Sequence, residues 1–493
     1  MTRLTIDPIT RLEGHGKIEI FLDAQGDVER TYFQVPELRG FESFCVGRPV
    51  EEMPTLTNRI CGVCPEAHHL AAAKAADAVY GVTPPRAAVL LRELMYCAFY
   101  VTDHTTHFYA LGGPDVIVGP DAPVADRNIL GVIRKVGLEV GGRVIETRRG
   151  GHRVVELIGG RRIHPCTAVP GGMTKGITAD ERAEIEAIAR QMLDFAAFSN
   201  ELFGSLINDG PTRDLVLGDL FRHETYYSGL VDDKGRVALY DGRIRVVAPD
   251  GTEHGTYAPA DYRDWIAEHV EPWTYLKFPY LKKVGWKGFV DGVDSGVYTV
   301  APLGRLNAAT GMATPRAQAE YERYFATLAP ATNGHRQLVH QRGAMHWARL
   351  IEMLYAAERM LELVADPDIT SPDVRAVPTQ TPSEGVGTVE APRGTLTHHY
   401  WTDSNGIVTR VNLIVGTTNN HAPIAMSIDR AARGLIRHGV VVDNGLLDRI
   451  EMAFRAYDPC FGCATHSLPG EMPLEVVIRD HGGETVGVLR RGD

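Results

Sequence analysis

Apolar residues recur at helical spacing in four long segments of this chain. Pro65 suits the first position of the first helix, and Gly81 ends its pattern. The third helix opens with Thr178 and Glu181, which have the spacing of a capping box. The four predicted helices are 65–80, 86–109, the segment that follows Thr178, and 345–364. Because each carries one broad apolar face, together they predict a helix-bundle core.

Strand patterns are shorter and lie outside these helices. Residues 237–240 and 244–247 flank Asp241-Gly242, which is a hairpin turn signal. Other predicted strands are 17–21, 31–35, 408–415, 474–478 and 485–489, and a last helix is predicted at 443–456. We therefore predict a mainly α protein with peripheral β structure (α+β), in which a long-helix bundle core carries small antiparallel β attachments as one compact unit.

Composition narrows the class of protein. The 493 residues are 44% hydrophobic and 23% charged, without a repeat or a low-complexity tract. The formal net charge of -11 argues against nucleic acid or an anionic membrane as a partner, because either would require a basic face. The chain has no run of 18 apolar residues, and its N-terminus lacks the pattern of a signal peptide. We expect a cytoplasmic protein with no transmembrane segment and no nucleic acid partner.

Four of the seven cysteines fall into two Cys-x-x-Cys pairs, Cys61/Cys64 and Cys460/Cys463. One pair presents two sulfur atoms close enough for one metal ion. Two pairs complete a four-thiolate site if the fold joins the two chain ends. An odd number of cysteines with two such pairs fits a reducing compartment better than a disulfide framework.

Three kinds of site are open at this point. Structural zinc is the usual occupant of paired motifs, but its pairs normally lie about 12 to 20 residues apart. Here the pairs bracket nearly the whole chain, and a chain of this length can bury a large core without such a staple. Disulfide exchange normally takes place beside a βαβ unit, and neither pair has one. A catalytic metal centre is the third option, and we favour it.

Seven sequence segments point to a known family. They are Asp7–His15, Arg39–Glu42, Arg59–Pro65, Asp103–Phe108, Gly159–Pro165, Glu390–Gly394 and Asp458–His466. In this order, and across nearly the full length, they resemble the large, catalytic subunit of nickel-iron hydrogenases. The resemblance implies a fold shared with the quinone-site subunit of respiratory complex I, which generally lacks the four cysteines present here. The pattern is most similar to cytoplasmic, multisubunit hydrogenases of the heterodisulfide-reductase-associated or NAD-reducing bidirectional type.

The resemblance implies an Ni-Fe(CN)2(CO) centre on the four cysteines. Cys61 and Cys460 would be terminal nickel ligands, and Cys64 and Cys463 would bridge nickel to iron. Carbon monoxide and cyanide complete the iron, so no further protein ligand is expected. The implied activity is reversible heterolytic cleavage of H2 to protons and electrons. The alternatives are an H2-sensing regulatory hydrogenase and a zinc-stapled structural scaffold.

Glu13 and Cys460 are the residues expected to handle the proton. By the resemblance, the Cys460 thiolate accepts it first and Glu13 relays it towards solvent. Burial would raise the pKa of the Glu13 carboxyl and so reduce its mismatch with a thiol. A structural alternative for Glu13 is a salt bridge with Arg11.

Arg393 is expected above the metal centre. It follows Pro392 in a loop, where its guanidinium would hydrogen-bond a cyanide or act as a fixed cation over the open metal position. Asp103 and Asp458 would orient it through charge-assisted bonds. The structural alternative is an arginine in a surface loop.

Three more residues are expected beside the iron. His68 lies four residues after Cys64 on the same helical face, and it would hydrogen-bond a bridging sulfur or be a satisfied core histidine. Thr417 and Thr418, in a predicted turn, would lie near the cyanides by the same resemblance.

A second metal site is implied near the C-terminal motif. Glu42, His466 and the backbone carbonyl of Leu413 would bind Mg²⁺, although an imidazole ligand leaves Fe²⁺ open. Residues 1–466 would be the catalytic domain, and residues 467–493 a C-terminal extension that a maturation endopeptidase removes after nickel insertion.

Electrons from H2 require a partner. The remaining Cys45, Cys97 and Cys166 are scattered and cannot build a four-cysteine Fe-S cluster, and no nucleotide-binding fingerprint follows a strand. The resemblance implies a small subunit that carries Fe-S clusters. Further electron-transfer subunits would be of the heterodisulfide reductase type or, second, the NAD-linked diaphorase type.

Overall fold

The computed structural model describes residues 2–208, 211–332, 336–466, 475–482 and 484–490. Its α-helices are α1 (Phe41–Cys45), α2 (Met53–Leu56), α3 (Pro65–Val79), α4 (Arg86–Thr106), α5 (Ile129–Val136), α6 (Leu138–Gly159), α7 (Ala179–Ile207), α8 (Pro211–Leu217), α9 (Tyr262–Trp265), α10 (Ala301–Ala308), α11 (Pro315–Leu328), α12 (Met345–Ala365), α13 (Gly416–Asn419), α14 (His421–Leu435) and α15 (Asn444–Arg455).

Its strands are β1 (Thr2–Ile6), β2 (Lys17–Leu22), β3 (Val28–Gln34), β4 (Ala168–Val169), β5 (Gly172–Met173), β6 (Tyr226–Val231), β7 (Arg243–Val247), β8 (Glu253–Tyr257), β9 (Ile266–His269), β10 (Phe278–Leu281), β11 (Tyr298–Thr299), β12 (Glu384–Ala391), β13 (Gly394–Thr402), β14 (Val408–Ile414), β15 (Glu475–Arg479) and β16 (Thr485–Arg490). All of their pairings are antiparallel except that of β11 with β6, which is parallel. The predicted fold class, mainly α with small antiparallel sheets, is confirmed.

Helices α4, α6, α7 and α12 pack against one another and form the bundle. Leu350 and Leu354 of α12 are almost fully buried, and burial of each side chain contributes roughly 1.5–3 kcal/mol. The predicted capping box opens α7, where the Thr178 hydroxyl accepts from Glu181 N and the Glu181 carboxylate accepts from Thr178 N. Three of the four predicted long helices therefore lie in the bundle.

The fourth member of the bundle differs from the prediction. Helix α3 packs on the β12–β13 hairpin, and α6 takes the expected place of α3. Glycines interrupt the apolar pattern of α6, which weakens its helical signal in the sequence. One of them is required by packing, because a Cβ on Gly151 would overlap Thr102 Oγ1 of α4.

Helix α4 also departs from its predicted end at residue 109. The regular helix stops at Thr106, and the chain continues through π-helical turns at His107–Gly112 and Pro114–Val118. A Cβ on Gly113 would overlap Phe108 O, so glycine permits this tight path. π-helical turns are frequent at functional sites, and this one follows directly on the part of α4 that carries Asp103.

The predicted hairpin of 237–240 with 244–247 is wrong. Strand β7 pairs with β6 and β8 instead. Residues 237–240 form no strand because their backbone groups bond elsewhere: Val237 N donates to Gly311 O, and Leu239 O accepts from Glu390 N. The strands predicted around 17–21, 31–35 and 408–415 correspond to β2, β3 and β14, and the last predicted helix is α15.

The sheet β12–β13–β14 positions the candidate metal site. Its first two strands were not predicted from the sequence. Pro392 and Arg393 form the turn between β12 and β13, so the predicted loop is the tight end of a hairpin. Gly385 and Gly387 let α3 approach β12, since a Cβ at either position would overlap backbone of α3. The hairpin tip and the start of α3, where Cys64 lies, are thereby held together.

The two ends of the chain meet beside this sheet. Glu13 N donates to Pro459 O, and Phe461 N donates to Glu13 O at 3.0 Å. The turn predicted at 417–420 is instead the short helix α13 leading into α14. The strands predicted at 474–478 and 485–489 correspond to β15 and β16, which pair with each other, while residues 467–474 lie outside the described part of the chain.

No helix in the described residues combines the length and the apolar character that a membrane crossing requires.

Candidate metal centre

The two Cys-x-x-Cys pairs converge. Cys61 follows a 3-10 turn, and Cys64 is the N-cap of α3, with Pro65 in the first helical position. Cys460 and Cys463 follow α15 and return the chain to the same place. The Sγ atoms of Cys61 and Cys460 are 3.4 Å apart, those of Cys64 and Cys463 are 3.3 Å apart, and all four lie within 4.8 Å of one another.

Electrostatics make this cluster a site for a cation. All four cysteines are buried, and burial raises the pKa of the Cys460 and Cys463 thiols well above its usual value. Hydrogen bonds from Cys460 and the other two thiols lower the pKa of the Cys61 thiol. Several buried thiolates are stable together only when metal charge compensates them.

Glu13 lies directly on this cluster. The Cys460 thiol donates to Glu13 Oε2 at 2.9 Å, and Gly462 N donates to the same oxygen at 3.0 Å. Burial, followed by the charge of Cys61, raises the pKa of the Glu13 carboxyl. Arg11 pairs with Asp115 and with Asp448, so the structural alternative for Glu13 is wrong.

Arg393 is buried at the hairpin tip, in contrast to a surface-loop arginine. Its Nη1 donates to Asp103 Oδ1 at 3.2 Å, and its Nη2 lies 2.9 Å from Asp458 Oδ2 in an ion pair. Burial raises the pKa of Asp458 to about 7. Asp458 holds a left-handed backbone conformation with φ 58°, which is strained for a residue with a side chain and turns the chain into Cys460. The pairing predicted for these three residues is present.

His68 is fully buried and meets another histidine. Its Nδ1 lies 3.1 Å from His398 Nε2, and no sulfur atom of the described residues bonds to the ring. Its Nε2 has no hydrogen-bond partner among the described residues. Burial lowers its pKa to about 4, so the ring is neutral at physiological pH. Both roles weighed for this residue stay predictions.

Thr417 and Thr418 bond to the segment that carries the second cysteine pair, and Pro392 bonds to Arg305. Thr417 Oγ1 accepts from Cys460 N at 3.0 Å, and Thr418 Oγ1 donates to Ala464 O at 3.2 Å. The Pro392 carbonyl accepts from Arg305 at 3.2 Å. The two threonines thus have a structural part in holding the second cysteine pair.

The residues expected at the second metal site are neighbours. Leu413 N donates to Glu42 Oε1 at 2.8 Å, and Glu42 N donates to His466 O at 3.4 Å. The His466 Nε2 contacts Cys463 O, while its Nδ1 has no partner among the described residues. Leu413 and His466 also line a small cavity of about 10 Å³, which is near the size of one water molecule.

Comparison with known proteins decides the family. A sequence profile described as nickel-dependent hydrogenase matches residues 39–128 and 294–466, which is more than half of the chain. The chain belongs to the nickel-dependent hydrogenase family. A second profile, described as HoxL-like, matches residues 3–38, the segment that contains Glu13.

Individual relatives cover the chain almost completely. An iron-sulfur subunit of the F420-non-reducing hydrogenase of Archaeoglobus profundus is 47% identical over 491 residues, which is 99% of this chain and 100% of that protein. The NAD-reducing hydrogenase HoxS subunit beta of Cupriavidus necator is 37% identical over 98% of both proteins. The crystal structure of an NAD+-reducing NiFe hydrogenase in the H2-reduced state matches 94% of this chain and 100% of its own, with 38% identity and a TM-score of 0.87.

Within this family, the donor set of the chain fits a nickel-iron centre. Four soft, buried sulfur ligands converge, and no carboxylate or imidazole of the described residues lies within 4.8 Å of all four sulfurs. Among the described residues, Arg393 Nε is a buried donor without a partner, Asp103 Oδ2 is a buried acceptor without one, and the buried His68 Nε2 has no partner either. Such orphaned groups around a cluster are expected where a non-protein group completes the bonding.

One buried ion network of this hydrogenase-family chain escaped sequence reasoning. Arg305 Nε donates to Glu352 Oε1 at 2.6 Å, and Arg305 Nη1 donates to Glu390 Oε2 at 2.8 Å, with no exposed surface on any of the three side chains. The network anchors the hairpin that carries Arg393. The only available signal was Glu390 itself, which opens one of the segments that resemble the family.

Proposed function

We propose that this chain is the catalytic subunit of a cytoplasmic nickel-iron hydrogenase. It would cleave H2 reversibly and heterolytically, and pass electrons to a small subunit with Fe-S clusters. The observation that carries the proposal is the convergence of four buried sulfurs from both chain ends, with Glu13 hydrogen-bonded to one of them. Family membership and the 47% identity to a hydrogenase subunit over 99% of the chain support it.

When bound, a nickel-iron centre on Cys61, Cys64, Cys460 and Cys463 supplies the redox chemistry and the polarisation of H2 that amino-acid side chains lack. Cys61 and Cys460 are proposed as terminal nickel ligands, and Cys64 and Cys463 as the bridging pair.

Cys460 and Glu13 are proposed to move the proton. The Cys460 sulfur takes up the proton released from H2, and the 2.9 Å contact passes it to Glu13 Oε2. Because burial raises the pKa of the Glu13 carboxyl, it can hold that proton before releasing it. Gly462 N–H fixes the carboxyl in place without competing for the proton, since it only donates.

Arg393 is proposed to supply a fixed cation and hydrogen-bond donor at the centre. Asp103 and Asp458 hold the guanidinium from two sides, so little reorganisation is needed when charge develops beside it. Its buried Nε is the donor left over for the centre or its ligands. Pro392, His68, Thr417 and Thr418 are proposed to complete the wall around the iron.

A second, non-catalytic metal is proposed beside the C-terminal motif. Glu42, the Leu413 carbonyl and His466 would bind Mg²⁺ or Fe²⁺. Burial lowers the pKa of His466 to about 3, which keeps the imidazole neutral as a metal ligand must be. The metal would pin residues 463–466 under the active site.

Maturation and electron transfer complete the proposal. Residues 1–466 would be the mature catalytic domain, with residues 467–493 removed by an endopeptidase. The names of the relatives, F420-non-reducing and NAD-reducing hydrogenase, support a place in a multisubunit enzyme. Heterodisulfide-reductase-type subunits are our first proposal for the further partners, and an NAD-linked diaphorase is the second.

Metal analysis combined with a hydrogen assay tests the proposed function. The purified enzyme should contain nickel and iron in about equal amounts once the iron of its Fe-S partner has been subtracted. It should reduce an artificial electron acceptor with H2. Zinc as the only metal on this chain, with no H2-dependent reduction, would contradict the proposal and support a scaffold.

A further inference from the structure

Arg305 of α10 is a fully buried arginine that binds two carboxylates and two backbone carbonyls at once. It donates to both oxygens of Glu352, from Nε at 2.6 Å and from Nη2 at 2.7 Å, and its Nη1 donates to Glu390 Oε2 at 2.8 Å. The same two terminal nitrogens donate to Ala391 O at 2.9 Å and to Pro392 O at 3.2 Å. Only the planar fork of a guanidinium can make such a set of bonds.

These bonds hold the backbone that leads directly into Arg393. Every backbone carbonyl from Glu390 to Arg393 accepts a hydrogen bond from a side chain outside the sheet. Two tyrosines of α4 donate to Glu390 O, and Asn420 Nδ2 donates to Arg393 O at 3.0 Å. Arg305 supplies the bonds to the two carbonyls between them. Displacing Arg305 would therefore release the middle of the hairpin tip on which Arg393 stands.

Glu352 connects Arg305 to the helix that carries the partner of Arg393. Burial opposes ionisation of Glu352, but the charge of Arg305 outweighs it and lowers the pKa of the carboxyl. An ionised carboxylate only accepts, so His104 donates from Nε2 to Glu352 Oε2 at 3.1 Å. Asp103 directly precedes His104 on α4, and it accepts from Arg393 Nη1 at 3.2 Å.

The contacts close into a ring. The ring runs from Arg393 along its own hairpin to Arg305, across to Glu352, and back through α4 to Asp103. All of its side chains are buried, and its outer members lie on the regular helices α4, α10 and α12. Loss of one link would free both the hairpin and α4 to shift. A displacement of about 1 Å in a group that acts on a reacting centre can lower the rate by about 100-fold.

We propose that Arg305 and Glu352 are positioning residues that hold Arg393 and Asp103 against each other at the four-cysteine centre. The inference rests on the proposed function, which gives Arg393 its role at that centre. The effect of Arg305 and Glu352 on the reaction passes through Arg393. It should therefore disappear in a chain in which Arg393 is already replaced.

A double-mutant cycle with Arg393→Lys tests this dependence in the complete enzyme. Arg305→Lys keeps the charge that compensates the buried carboxylates, but an ammonium group cannot reach both of them and two carbonyls together. We expect Arg305→Lys to lower H2 oxidation by about 10-fold at wild-type nickel and iron content. Added to Arg393→Lys, it should lower the activity by less than about twofold. Substitutions that act through one group are non-additive, whereas independent damage to the fold would add.

Arg92→Lys is the matched control for Arg305→Lys. Arg92 is also fully buried, pairs with Asp77 at 2.6 Å, and donates to two backbone carbonyls, Val169 O and Gly172 O. Its partner Asp77 lies near the end of α3 that is far from Cys64. Arg92→Lys should therefore leave H2 oxidation at the wild-type level.

Hydrogen exchange of the full-length chain gives a second readout that needs no metal. Mass spectrometry should show that Arg305→Lys speeds the exchange of the peptide over residues 388–396 by about 10-fold, and that Arg92→Lys does not. Glu352→Gln is the second variant and should act like Arg305→Lys in both experiments. It leaves Arg305 paired with Glu390, so no buried charge stands alone and the fold is expected to persist.

Equal losses of H2 oxidation in the wild-type and Arg393→Lys backgrounds would overturn the inference. Wild-type exchange of the hairpin peptide in both Arg305→Lys and Glu352→Gln would overturn it as well. Faster exchange of that peptide in a chain that takes up zinc alone and oxidises no H2 would support the positioning pair and contradict the hydrogenase function, so the two failures are distinguishable.

Discussion

Glu13 and Cys460 lie 447 positions apart in the chain, yet the Cys460 thiol donates to the Glu13 carboxylate at 2.9 Å. Backbone hydrogen bonds on both sides of Glu13 fix this contact: Glu13 N to Pro459 O, and Phe461 N to Glu13 O. A proton on the sulfur therefore has an acceptor already in hydrogen-bond range, which is the geometry that general acid-base transfer requires.

Replacing Glu13 with glutamine should stop proton transfer and spare the metal centre. Glutamine keeps an oxygen for Gly462 N–H but cannot take up a proton at neutral pH. We expect H/D exchange between H2 and solvent to fall by about 100-fold or more, at wild-type nickel and iron content. Glu37→Gln, which changes a carboxylate paired with exposed His15, is the control. Wild-type exchange in Glu13→Gln would remove this residue from the proton path.

Replacing Arg393 with lysine should separate charge from geometry. Lysine keeps the positive charge but cannot bind Asp103 and Asp458 from two sides at once. We expect H2 oxidation to fall by about 100-fold with bound metals retained. Arg430→Lys is the control, because its pair with Asp291 is largely solvent-exposed and such pairs contribute little. Full activity in Arg393→Lys would show that a diffuse charge suffices.

The sequence was sufficient for the metal ligands because they carry local signals. Cys61 and Cys64, like Cys460 and Cys463, are recognisable pairs with distinctive flanks, and the segments around Glu13 and Arg393 match the family in order. Their convergence follows from family resemblance, since no local pattern places residues 61 and 460 together.

Other parts of the site could not be predicted because tertiary contacts decide them. Arg305 is an isolated arginine in the sequence, and only the fold places Glu352 and Glu390 beside it. The strands β12 and β13 are rich in small and polar residues, and the glycines that weaken their pattern are those that admit α3. The contact between His398 and His68 likewise could not be predicted from the sequence and is known only from the structure.

Removing the Glu42 carboxylate charge should empty the proposed second metal site. We expect Glu42→Gln to lose magnesium or its equivalent of iron, and to lower the thermal unfolding temperature, because the metal would tie α1 to the C-terminal motif. Elemental analysis and calorimetry measure the two effects. Glu29→Gln, on the exposed end of β3, is the matched control. Unchanged metal content in Glu42→Gln would contradict this ligand set.

The active enzyme should end at His466. While residues 467–493 are present, His466 Nδ1 is buried and has no partner among the described residues. We propose that removal of residues 467–493 lets His466 bind the second metal. Intact-mass analysis of purified, active enzyme should show a chain of residues 1–466. A fully active chain that retains Asp493 would refute the proposal.

Acid should destabilise the protein through histidines that are buried in the neutral form. Burial lowers the pKa of His421 to about 3 in the folded state, against about 6.5 in an unfolded chain. Since the unfolded state binds the extra proton, this contribution to stability is complete above pH 6.5. It is lost as the pH falls towards 3, by about 1.4 kcal/mol per pH unit.

The substitution His421→Asn should remove that dependence while its amide retains a donor for Lys277 O, which lies 3.2 Å from His421 Nδ1. The free energy of unfolding is measured with urea at pH 7 and at pH 5. Between these two values it should fall by about 2 kcal/mol less in the variant than in the wild type. His438→Asn, at an exposed position, is the control and should keep the wild-type difference. If the free energy of unfolding fell equally in His421→Asn and in the wild type, another group would have to take up the proton. The smaller fall in the variant is expected only if a neutral imidazole is buried at position 421.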